Sequence, residues 1–266
     1  MKELKRYIKI YPHFLSQAIK SKLAYKADAI IGILGFMIGN VVTFLTLYLT
    51  ISSIPSFGDW TIDKMIFLYG FCLIPKSIDH IFTDSIWAIG GWQIKNGELD
   101  KSLVRPINPL FFIIATEFQA EGIGELILGI VFLCVSTGKQ PIVWSLNNIV
   151  PLIICGFFSI FLFTAIKLIF ASLAFWVKRS ISIMNTIYGF SDFTKYPIDI
   201  FGKFVKVILV YIIPFSLTMY YPVAYLYSDK SIWPLTLQVI IVVVLFVSFS
   251  YFLWLRGLKR YESAGN

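Results

Sequence analysis

Apolar residues run along this chain in long blocks separated by short polar clusters, a pattern of membrane-crossing helices rather than of an amphipathic soluble fold. Residues 29–51 carry no charge and exceed the roughly 20 residues that a helix needs to cross a bilayer. Pro55, Gly58 and Asp59 then form a short loop, and a second span covers residues 65–87. A third runs from 111 to 135, a fourth from 149 to 176 and a last from 232 to 255. Hydropathy also picks residues 204–227, despite Lys206, Pro214 and Pro222, which makes six crossings in one all-α, polytopic domain over residues 1–266.

Residues 1–26 have a different pattern. Leu4, Tyr7, Tyr11, Phe14 and Ala18 recur at helical spacing, with Lys2, Lys5, Arg6, Lys9, Lys20 and Lys22 mostly between them. Such a segment is either an amphipathic helix in the headgroup layer, with Pro12 as a break or kink, or a basic flank that orients the first span. A signal peptide does not fit, because the first apolar run starts late and is too long.

Composition agrees with the pattern: 58% of residues are hydrophobic and 14% charged, against roughly 25% charged in soluble domains. The net charge of +8 is in this setting a topology signal before it is a nucleic-acid footprint. Lys and Arg crowd the N-terminal segment, the 97–110 loop, Lys178-Arg179 and Arg256, Lys259 and Arg260, while the opposite loops offer Lys64, Lys139 and Lys230. Both termini and the 97–110 loop are therefore expected on the cytoplasmic side of the cell membrane. Cys72, Cys134 and Cys155 all lie in apolar runs without metal-ligand spacing and read as small core residues.

Charges inside the spans are expensive unless paired or wetted. Lys76, Asp79, His80, Thr83 and Asp84 fall on one stripe of the second span. Glu117, Glu121 and Glu125 are spaced by four in the third, which predicts one shared face, and Lys167 lies in the fourth. These groups sit near cytoplasmic water, pair with one another, or line a substrate or proton route. With residues 111 and 176 as inner edges, Glu121 and Lys167 both come ~14–15 Å deep at ~1.5 Å per residue. That equality predicts a structural Glu121–Lys167 ion pair, with Glu117 and Glu125 turned to water or to a partner.

The densest polar island is Gly97-Glu98-Leu99-Asp100-Lys101-Ser102-Leu103-Val104-Arg105-Pro106-Ile107-Asn108-Pro109-Leu110. Gly97 is suited to end a helix in the left-handed conformation, and Pro106 and Pro109 stop any helix from Glu98 near Val104. Glu98 and Asp100 would then lie in the first turn and Arg105 at the end, the signs that match the helix dipole. By composition alone this is either a docking element or a solvated loop. Gly97-Glu98-Leu99-Asp100, Leu103, Arg105-Pro106 and Pro109-Leu110 resemble the signature loop of ABC-2-type exporter permeases. Gly257, Tyr261 and Gly265 are similar to that family's C-terminal pattern.

The resemblance implies an elbow helix over residues 1–26 and a coupling helix in the 97–110 loop that contacts a separate ATPase. It also implies a short fifth span near 181–193 followed by a re-entrant pair of half-helices, which would add Lys195, Lys203 and Lys206 to the outer count. ATP and magnesium would belong to two ATPase subunits, with no cofactor on this chain. A second permease, identical or related, and membrane lipid would be the other partners, and nucleic acid would not.

No Walker A motif, Gly-x-Ser-x-Gly or His-Glu-x-x-His occurs, and the two histidines, His13 and His80, do not suggest a metal site. No catalytic residue is expected. Two alternatives stay open: an ion-coupled secondary transporter using Glu117, Glu121, Glu125 and Lys167, and, further off, a membrane-embedded enzyme.

Overall fold

A computed structural model describes residues 2–52, 60–138, 144–228 and 230–263. Expectations resting on the side chains of Lys2 and Leu4, and on Pro55, Gly58, Asp59, Lys139 and Gly265, lie outside the described residues. The described residues are mostly helical and contain no strand.

Helix α1 (Lys2–Ala24) continues through Pro12, so of the break or kink expected there the break does not occur. The carbonyl deprived of a partner there belongs to Ile8, which is exposed, so solvent can replace the missing bond. After a turn at Tyr25, α2 (Lys26–Ser52) leaves most of its apolar surface uncovered, as suits a helix facing hydrocarbon. Helix α3 (Ile62–Thr83), capped by the Thr61 hydroxyl at 3.4 Å from the Lys64 amide, is the most buried of the long helices. It continues through α4 (Ile86–Ala88) into a wide π-turn at Ile89–Gln93.

The third crossing departs from expectation. It is split into α6 (Pro109–Ala115), which follows the short α5 (Asp100–Leu103), and α7 (Glu121–Thr137). The Thr116 hydroxyl folds back onto the Phe112 carbonyl at 2.8 Å, and the Gln119 amide donates to Ile81 of α3 at 3.0 Å instead of to its own helix. Glu117 therefore lies in a non-helical break, and the single face through Glu117, Glu121 and Glu125 does not form. Helix α7 approaches its neighbours closely because it presents glycines. A Cβ on Gly122 would come within 2.7 Å of Ile81, and one on Gly124 within 2.6 Å of the Ile33 carbonyl of α2.

Helix α8 (Leu146–Ser172) packs along both α3 and α14 and extends through α9 (Ala174–Val177) to Lys178, which is left-handed at φ 62°. The region where two readings of the fifth crossing competed is a series of short pieces. Helix α10 (Ile181–Gly189) leads into 3-10 turns at Phe190–Lys195 and Ile198–Ile200. Next come α11 (Lys203–Val207), a π-turn to Ile212, α12 (Phe215–Thr218) and α13 (Tyr220–Leu226). Segments Lys203–Ile212 and Phe215–Leu226 meet at 70°, so no straight helix covers residues 204–227. Pro214 sits at the bend, where it has no amide to continue the ladder.

Helix α14 (Trp233–Arg260) closes the bundle against α8. Among the described residues, four helices are long and apolar enough to cross a membrane, or five if the bent pair counts as one span. At 17 residues, α7 falls short by length alone.

Candidate functional site

The 97–110 loop is built on buried apolar anchors. Leu99 is fully buried and Leu110 nearly so, in a cluster with Ile89, Ile113, Ala171, Met184 and Trp254. Gly97 adopts φ 72°, the left-handed turn that its sequence position predicts, and the Leu99 amide then reaches the Gln93 carbonyl at 3.2 Å. The helix stops at Val104, before Pro106, as the prolines require. It starts at Asp100 rather than Glu98, which precedes the first turn. Pro109 opens α6 at a position where a missing amide costs nothing, and the Asn108 side chain caps the Phe111 amide at 3.1 Å.

Other parts of the chain hold this loop in place. From α1, Arg6 donates to the Pro106 carbonyl at 3.1 Å and the Tyr7 hydroxyl accepts from the Asn108 amide at 3.0 Å. Tyr7 also meets Phe111 edge to face at 4.6 Å. From α14, Tyr251 accepts from Asn108 at 3.2 Å, and beyond it the Ser263 hydroxyl donates to Asp100 at 2.5 Å. Lys101, Leu103 and Val104 project outward, Val104 being 82% exposed. Glu98 is half-buried, and Arg105 lies over the Phe112 ring at 4.6 Å.

The second cluster lies inside the bundle. Lys167 of α8, 1% exposed, sits between Asp79 and Asp84 of α3, at 2.9 Å from each. Asp79 also accepts from the hydroxyls of Thr83 at 2.6 Å, Thr164 at 2.8 Å and Tyr188 at 2.8 Å. Trp87 donates to Asp84 at 3.1 Å. His80 lies between Asp84, at 3.5 Å, and Glu125, at 3.2 Å, and Asn40 of α2 donates to the other Glu125 oxygen at 3.1 Å.

The expected Glu121–Lys167 pair is therefore absent. The break at residues 116–120 spoils the depth arithmetic and leaves Glu121 at the start of α7, where Lys22 of α1 is 3.9 Å away. Glu125 is buried and bonded rather than turned to water. Glu117 is exposed in the break.

Beside this network a cleft of about 610 Å³ opens between α2 and the α3–α7 layer. Gly35, Phe36 and Gly39 form one wall, and a Cβ on either glycine would meet open space. Lys76, Glu125, Asp192 and Lys195 form the other. Asp192 bridges the two lysines, at 2.9 Å from Lys76 and 2.8 Å from Lys195. The sequence pattern had pointed to Lys76 and Glu125 but not to Asn40, Tyr188, Asp192 or Lys195. The i, i+3 spacing of Asp192 and Lys195 and the lone amide in an uncharged span were the available signals.

No curated protein matches this chain. The sequence pattern of the ABC-2 family transporter protein matches residues 37–265, a stretch that holds both the anchored loop and the buried network. The chain therefore belongs to the ABC-2 family of membrane transporter proteins.

Proposed function

We propose that the chain is the permease subunit of an ATP-driven exporter in the cell membrane, with six crossings and both termini in the cytoplasm. It would pair with a second permease, the same or related, and take its energy from two ATPase subunits that bind ATP and magnesium. The supporting observation is the loop at 97–110, whose apolar residues Leu103 and Val104 point outward while Leu99 and Leu110 fasten it to the bundle. A rigidly held, outward-facing apolar pair is suited to pass a partner's motion into α3 and α6. Alternating access would then move a cargo outward between two permeases.

The test is retention of the ATPase on the purified permease after Glu98→Lys with Asp100→Lys. The double variant is expected to insert normally, lose most ATPase retention and stop transport. Unchanged retention together with unchanged transport would refute the docking role.

An ion-coupled transporter is the second reading, and the chain of contacts from Lys167 through Asp84 and His80 to Glu125 favours it. Its other two carboxylates, Glu117 and Glu121, lie apart from that chain. Transport by a proteoliposome holding the permease alone, driven by a pH gradient without ATP, would support this reading over the first.

A further inference from the structure

A cleft of about 290 Å³ separates the C-terminal half of α1 from α6. Phe14, Ala18 and Phe112 give it an apolar floor, and Gln17, Ser21, Thr116 and Arg105 a polar rim. The Arg105 guanidinium lies over the Phe112 ring at 4.6 Å, a contact that holds it beside the cleft with N–H groups available to bind. Arg105 takes part in none of the ion pairs among the described residues. Its direction is also distinct: Val104 points outward, whereas Arg105 is turned toward α1.

The cleft lies on the C-terminal half of the basic amphipathic helix, which ends at Ala24, five residues before the uncharged stretch of the first crossing begins at Ala29. That is the depth of the lipid headgroups. Lys5, Lys9 and Lys20 of the same helix are exposed and add positive potential. We infer that this cleft is a binding site for the phosphodiester of an anionic phospholipid. The guanidinium of Arg105 would fork onto the phosphate, with Gln17 and Ser21 of α1 and Thr116 as further polar contacts. The acyl tails would lie in the hydrocarbon layer that α2 enters. A free phosphate would leave the apolar floor uncovered, and a zwitterionic headgroup would bring its own cation toward the basic helix.

A lipid held there would join α1 to the 97–110 loop, making that loop's position sensitive to the composition of the membrane. The inference rests on the membrane placement of α1 and not on ATPase docking, so it is tested on the purified permease alone. Dioctanoylphosphatidylglycerol and dioctanoylphosphatidylcholine are titrated in detergent and binding is read by native mass spectrometry.

The anionic lipid is expected to bind about tenfold more tightly. Arg105→Gln should erase that preference, Arg105→Lys should keep part of it, and Gln17→Leu with Ser21→Leu should block binding from the α1 side. Equal binding of the two lipids would overturn the site, as would unchanged preference in the α1 double variant, which decides the matter should Arg105→Gln fold poorly. Displacement by an equal concentration of glycerol phosphate would show a soluble-anion site and overturn the lipid assignment.

Discussion

Replacing Lys167 by Met removes the only positive charge within 2.9 Å of Asp79 and Asp84 among the described residues. At an effective dielectric of about 20, each contact at that distance carries about 6 kcal/mol of gross attraction, most of it offset by the cost of taking the charges out of water. The net loss on deleting one partner of a buried pair is about 3–5 kcal/mol, because the survivors are left uncompensated. Asp79 would keep three hydroxyl donors and Asp84 its Trp87 and His80 contacts, which sets the expected loss toward the lower end. Adding Asp79→Asn removes one stranded charge while its hydroxyl neighbours remain. The double variant should therefore be less damaged than the sum of its parts by about 1–3 kcal/mol. Glu121→Gln with Lys167→Met should instead be additive within about 0.5 kcal/mol. Denaturant unfolding in mixed micelles, followed by tryptophan fluorescence, measures all of these. A Lys167→Met loss below about 1 kcal/mol, or additivity with Asp79→Asn, would refute the argument that this triad is held by charge.

Leu99 and Val104 lie five residues apart in one loop but are expected to fail differently. Leu99→Ala should cost about 2–5 kcal/mol of stability by leaving a cavity, whereas Val104→Ala should change stability by less than about 0.5 kcal/mol and weaken ATPase retention. Thermal unfolding and copurification, run side by side, check the split. A cysteine at Asp199, exposed and 2.7 Å from Lys206, should be labelled from outside the cell by an impermeant thiol reagent if the bent segment is re-entrant. Labelling from the cytoplasm alone would reverse that orientation.

What the sequence made legible was local. Gly97 announces the left-handed turn ahead of the loop helix, and Pro106 its stop, through backbone rules that hold wherever the loop sits. The polar stripe on α3 is likewise visible from helical spacing. The break between α6 and α7 was not legible, because Thr116-Glu117-Phe118-Gln119 contains no helix breaker. It is held open by a tertiary bond from Gln119 to Ile81. The error then propagated, since the predicted partner of Lys167 depended on a continuous third helix. The true partners were in view on the α3 stripe, but nothing in the spacing says which face of α8 meets it. Pro214 was visible too, yet a proline alone does not separate a kinked crossing from a 70° turn.

The bond between Ser263 and Asp100 joins residues 163 positions apart in the chain. During synthesis, the ribosome has finished the α1 side of the loop, through Arg6 and Tyr7, long before Tyr251 and Ser263 emerge. A nascent chain arrested before α14 would show the loop clasped from one side only. Any partner that reads the fully clasped loop would therefore ignore unfinished or truncated subunits, and the order of translation itself would act as a checkpoint on assembly.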